Sequence, residues 1–69
     1  MKNNFRVARA VERMTQQQLA DAGGGSRQTI NAIEAGKFIP STLLALKIAR
    51  LFRQSVESIF ELEASDLRN

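Results

Sequence analysis

The 69 residues contain no cysteine, no histidine, no tryptophan and no tyrosine, and only one proline. Without cysteine there is no disulfide and no thiol chemistry. Without histidine as well, Cys/His zinc sites and Ser–His or Cys–His catalysis are excluded. No apolar run approaches the roughly 20 residues of a membrane span. Met1-Lys2-Asn3-Asn4 leads into no signal-type apolar core. A cytoplasmic protein is expected, with no cofactor, no metal and no membrane partner. The length allows one domain, and a chain this short buries only about 60% of its unfolded surface. It therefore needs efficient packing or a partner. What is present suits a globular domain: 43% of the residues are hydrophobic and 25% are charged, unlike a disordered tail.

The charges are unevenly placed. Residues 1–54 carry nine basic and three acidic side chains, a net of +6, and residues 55–69 carry one basic and four acidic, a net of −3. Two readings of the positive portion stand open. It suits a polyanion such as nucleic acid, whose phosphates dominate affinity, and it equally suits a solubilising surface with cations on every face.

Short helices separated by cap and turn signals fit the chain, and no stretch reads as a convincing strand. Val7, Ala10, Val11 and Met14 follow the i, i+3, i+4, i+7 stripe of an amphipathic first helix. Thr15 and Gln18 have the spacing of a capping box, opening a second helix that runs through Leu19 and Ala20 to Asp21-Ala22, where Gly23-Gly24-Gly25 stops it. Ser26 is the expected N-cap of a third helix, Arg27 to Ala35, with Ile30 and Ile33 inward and Gly36 at the left-handed position that ends it. Pro40-Ser41 opens a fourth helix with Leu43, Leu44, Leu46, Ile48, Leu51 and Phe52 as its apolar members. Ser55 caps a fifth, whose apolar face is Val56, Ile59, Phe60 and Leu62. The expected fold is a compact all-α domain of five helices over residues 1–62, followed by a polar C-terminal tail, 63–69, that frays.

The second and third helices carry the functional signal. Their lengths and the glycine-containing turn between them match a helix-turn-helix. At 100° per residue, Gln28, Asn31 and Ala32 lie within about 80° of the direction opposite Ile30 and Ile33, and Arg27 stands at the exposed first turn. Gln fits adenine N6 and N7, Arg fits guanine O6 and N7, and Ala can touch a thymine methyl. The plainer reading of Arg27-Gln28-Thr29 is a solvated helix start.

Thr15-Gln16-Gln17-Gln18-Leu19-Ala20, Gly24, Ser26-Arg27-Gln28-Thr29-Ile30, Ile33-Glu34-Ala35-Gly36-Lys37 and Pro40-Ser41 together resemble the phage-repressor/Cro-type (Xre-type) family of small transcriptional regulators. Leu46 to Phe52 and Ser55-Val56 to Ile59-Phe60 resemble that family's last two helices. The resemblance spans roughly residues 3–62. It implies a lambda-repressor-like fold and a non-enzymatic, sequence-specific regulator that reads double-stranded DNA, with base contacts from Arg27, Gln28, Asn31 and Ala32. It further implies phosphate contacts from Gln16, with Thr29, Lys37, Lys2 and Arg6 as further candidates, and a structural salt bridge between Arg9 and Glu34. A domain of this size is expected to bind as a homodimer on half-sites one helical turn apart. Phe38, Ile39, Val56, Ile59 and Leu62 are the candidate dimer contacts, or else simply core.

Two departures from the family stand out. Gly23 and Gly25 replace apolar residues expected to pack the helix pair against the core, and Arg53 replaces a C-cap glycine, for which a longer fourth helix is expected. The glycines and the acidic tail favour a second hypothesis, a protein-interaction module (antitoxin-like or anti-repressor) with a protein partner. Enzyme chemistry is not expected. No carboxylate pair is placed for acid–base work, and the glycine triplet lacks the strand and Lys-Ser/Thr of a phosphate loop.

Overall fold

The computed structural model describes residues 1–68. Hydroxyl caps set four helix starts. Thr15 accepts from the Gln18 amide at 3.0 Å while the Gln18 side chain accepts from the Thr15 amide at 2.8 Å, a reciprocal capping box. Ser26, Ser41 and Ser55 accept from the amides of Thr29, Leu44 and Ser58 at 3.1, 3.2 and 3.2 Å. The elements that result are α1 (Phe5–Val11), α2 (Gln16–Leu19) continuing into a π-helical turn (Ala20–Gly24), α3 (Arg27–Glu34), α4 (Thr42–Phe52) and α5 (Val56–Ile59). Among the described residues no helix is long and apolar enough to cross a membrane.

Three helices end the same way. After α3, the Gly36 amide donates to the Ile33 carbonyl and the Lys37 amide to the Ala32 carbonyl, the paired bonds of a Schellman motif, with Gly36 at φ +75°. After α1 and α4 the same pair of bonds forms, but the left-handed residue is Arg13 (φ +54°) or Arg53 (φ +57°). The longer fourth helix expected at Arg53 is therefore corrected: α4 stops at Phe52, because the Gln54 amide turns back to the Ala49 carbonyl.

The core joins all five helices through Phe5, Ala8, Leu19, Ile30, Ile33, Ile48, Ala49, Phe52, Ile59 and Phe60. Phe5 meets Phe52 edge to face, with centroids 5.2 Å apart. This overturns the stripe expected on the first helix except at Met14, which packs half-buried against the core. Val7 and Val11 are 62% and 67% exposed, and Ala10 is exposed too. The inward face is Phe5 and Ala8, with Arg9 half-buried beside them. Both faces of α1 carry aliphatic groups, and the ring of Phe5 wins because it removes more apolar area from water. In α4, Leu43 and Leu46 likewise lie outside, whereas Ile48, Ala49 and Phe52 are buried.

The chain's two ends meet in a short sheet that the sequence does not announce. β1 (Lys2–Asn3) pairs antiparallel with β2 (Phe60–Glu61), Lys2 opposite Glu61 and Asn3 opposite Phe60. Phe60 leaves the fifth helix at φ −114°, ψ 135°, so Leu62 lies outside instead of on an apolar helix face. Two residues are too few to display alternation. Asn3 strengthens the closure: its side chain donates to the Ile33 carbonyl at 2.9 Å and accepts from the Phe5 amide at 3.1 Å. The tail expected to fray holds a 3₁₀ turn over Ala64–Leu67, and the Met1 amine lies 3.2 Å from Glu63 and 3.3 Å from Asp66. Asn69, the last residue of that tail, lies outside the described residues.

Candidate nucleic-acid interface

α3 is held from behind and open in front. Ile30 and Ile33 are buried in the core, while Arg27, Gln28 and Asn31 are exposed and Thr29 and Ala32 are half-buried. The first turn is firm, since Ser26 caps it and the Ser26 and Thr29 hydroxyls lie 2.9 Å apart. Arg27 and Gln28 border an open depression with Gln17, Ala20, Asp21, Gly25 and Ser26. The first helix of the pair thus meets the exposed start of the second in one concavity. Gln17 and Asp21 were not singled out from the sequence. Their spacing of four residues puts them on one helical face, and Gln17 donates to Asp21 at 2.9 Å.

At its other end α3 is tied to the body by a carboxylate. Arg9 Nε donates to Glu34 Oε1 at 2.6 Å, and Gln16 Nε2 donates to Glu34 Oε2 at 3.0 Å. Arg9 also donates to the Met14 carbonyl at 2.8 Å, so it binds the end of α1 as well. The Glu34 side chain is only 2% exposed. Burial by itself would push its carboxyl up. The hydrogen bonds from Arg9 and Gln16, with the charges of Arg9 and Arg6, outweigh that and hold it below the usual carboxylate value. Arg9 and Glu34 thus clasp α1 to α3.

The remaining candidates fall in three places. Gln16, at the start of α2, spans Glu34 and the Asn31 side chain, which it reaches at 3.5 Å. Arg6 is 81% exposed, with Nε 3.8 Å from Glu34, and Lys37 is exposed just past α3. Lys2 lies apart from this group, opposite Glu61 in the terminal sheet. Of the candidate dimer contacts, Phe38, Ile39 and Leu62 are exposed and Val56 is half-buried against the core. Ile59 is withdrawn from that set: it is 1% exposed and packs in the core.

The turn needs its glycines for backbone reasons. Gly23 and Gly25 take φ +107° and +109°, where a side chain is strained. A Cβ on Gly23 would meet nothing within 4 Å; one on Gly25 would touch Thr29 and Leu44 at 3.6–3.7 Å. Gly24 is the crowded member, since a Cβ there would stand 2.9 Å from Leu19 Cγ.

A helix-turn-helix family model matches residues 8–59, from α1 through α5. The chain belongs to the Cro/repressor-type helix-turn-helix family. Members of this family are non-enzymatic. Relatives of similar length share much of the sequence. An uncharacterized HTH-type transcriptional regulator of Methanocaldococcus jannaschii is 52% identical over 60 residues, covering 87% of this chain and 91% of the relative. One of Bacillus subtilis is 44% identical over 63 residues, covering 91% and 96%. One of Archaeoglobus fulgidus is 42% identical over 67 residues, covering 97% and 94%. In this helix-turn-helix protein, α2 and α3 are the pair that names the family.

Proposed function

We propose that this helix-turn-helix protein is a sequence-specific DNA-binding transcriptional regulator that lays α3 in the major groove and works as a two-fold dimer. The observation that carries the reading is the two-sidedness of α3: Ile30 and Ile33 anchor it in the core, and Arg27, Gln28 and Asn31 stand exposed on the other side. Base contacts are assigned to Arg27, Gln28, Asn31 and Ala32, since the N-terminal residues of a recognition helix reach base edges. Gln16, Thr29, Lys37 and Arg6 are assigned to phosphates, which fix register and carry no sequence information. Lys2 adds long-range attraction from the terminal sheet. The relatives' names, which describe transcriptional regulators, agree with this reading.

Binding to a random-sequence duplex, titrated with salt, tests it. A protein neutralising several phosphates loses affinity with a log–log slope of about −0.9 per phosphate. A flat response overturns the reading and favours a protein partner instead.

A further inference from the structure

The outer face of α4 is uncovered in the fold. Leu43, Leu46, Lys47 and Arg50 recur at spacings of three and four, which gathers them on one side of the helix. Leu43 and Leu46 are 65% and 55% exposed. Lys47 and Arg50, with Leu51, Ala22 and Gly23, line an open groove of about 260 Å³. Among the described residues neither cation has a carboxylate within ion-pair reach. No residue of α3 lines this groove, so its charge is separate from the candidate DNA-reading face.

A patch of opposite sign lies near the chain's other end. Glu57 of α5 and Glu61 of β2 border one shallow depression, and Leu62, next to Glu61 in sequence, is 63% exposed. Neither glutamate is in an ion pair among the described residues. Lys2 stands on the rim of the same depression and offsets part of its charge. Each patch therefore offers two like charges with exposed leucine near them in sequence, and the two patches are complementary in sign.

We propose that two copies of this chain associate by seating Glu57, Glu61 and Leu62 of each on the Lys47–Arg50 groove and the Leu43–Leu46 face of the other. A two-fold contact makes the match twice, since an isologous interface repeats every pairing. Opposite charges set the register and speed the encounter, and the leucines leave water. Arg27, Gln28 and Asn31 take no part, so the complex keeps its exposed α3 residues. The inference rests on the dimer reading above and supplies its surface.

Sedimentation equilibrium of the full chain tests it. From about 5 to about 500 µM, the wild-type chain is expected to dimerise reversibly, tenfold or more weaker at about 0.5 M than at about 0.05 M salt. Two variants reverse the charges, Lys47→Glu with Arg50→Glu, and Glu57→Lys with Glu61→Lys. Each alone is expected to be monomeric, because both of its patches then carry one sign. Mixed in equal amounts they are expected to form a 1:1 dimer, which also shows that both remain folded. A mixture that stays monomeric overturns the proposal. So does a wild-type dimer that either variant leaves unchanged, in which case the surface fails and the dimer reading stands. A wild-type chain that is monomeric throughout overturns both.

Discussion

Glu34 is the residue whose surroundings do most to fix α3. It accepts from Arg9 and from Gln16 while its side chain is almost wholly out of water. Removing one partner of such a pair leaves an uncompensated buried charge, so Arg9→Ala is expected to cost about 3 kcal/mol. In a domain this small that lowers Tm by more than about 10 °C, and an unchanged thermal melt would refute the clasp. The carboxyl's folded pKa lies below its ordinary 4.5. Its stabilising contribution is therefore complete above that value and is lost as pH falls through the lower folded one. Urea unfolding from about pH 7 to about pH 3 should show the gap between wild type and Glu34→Gln narrowing on the acid side. Arg53 supplies the opposite case. It holds a left-handed conformation at φ +57°, which costs an L-residue roughly 1–2 kcal/mol. Arg53→Gly is expected to gain about 0.5–1 kcal/mol after the added chain entropy, read as a higher urea midpoint.

At the scale of elements, the pair α2–α3 tests both packing and recognition. Gly24→Ala drives a Cβ to 2.9 Å from Leu19 Cγ and 3.0 Å from its carbonyl. A loss of about 1–3 kcal/mol in urea unfolding is expected, the usual cost of overpacking. Gln28→Ala is expected to relax preference at one base pair by ~1–3 kcal/mol in binding to duplexes varied at each position, whereas Gln16→Ala should weaken all sequences alike. Most of these elements were legible in the sequence because their signals are local. Thr15, Ser26, Ser41 and Ser55 announce helix starts through side chains that reach three residues ahead, and Gly36 announces an end. The faces were harder to read. Val7 and Val11 fit a stripe as well as Phe5 and Ala8 do, and only the partners Phe52 and Phe60 decide between them. Arg53 concealed a helix end because its backbone adopts what its residue type disfavours. The Arg9–Glu34 pairing followed from family resemblance, while the tie from Gln16 to both Glu34 and Asn31 depends on α2 and α3 meeting in space and left no mark in spacing.

For the molecule as a whole, closure comes from residues 1–4 meeting residues 59–66. The Asn4 amide donates to the Ile59 carbonyl at 3.0 Å, and Asn3 joins β1 to the last turn of α3 and the first of α1. Asn3→Ala should cost about 1–2 kcal/mol for its two bonds and speed amide exchange at both ends of the chain together. Exchange confined to the first few residues would show that the ends open independently. This layout also governs where α3 can move. The buried carboxylate pins one extremity to α1, Ile30 holds the middle in the core, and the other extremity follows Gly25 at φ +109°. Arg27 lies seven residues from that pivot, a lever of about 10 Å, so a tilt of about 5° carries its backbone roughly 1 Å sideways. Arg27 and Gln28, assigned to base edges, sit at the end farthest from that pivot, where a given tilt makes the largest displacement.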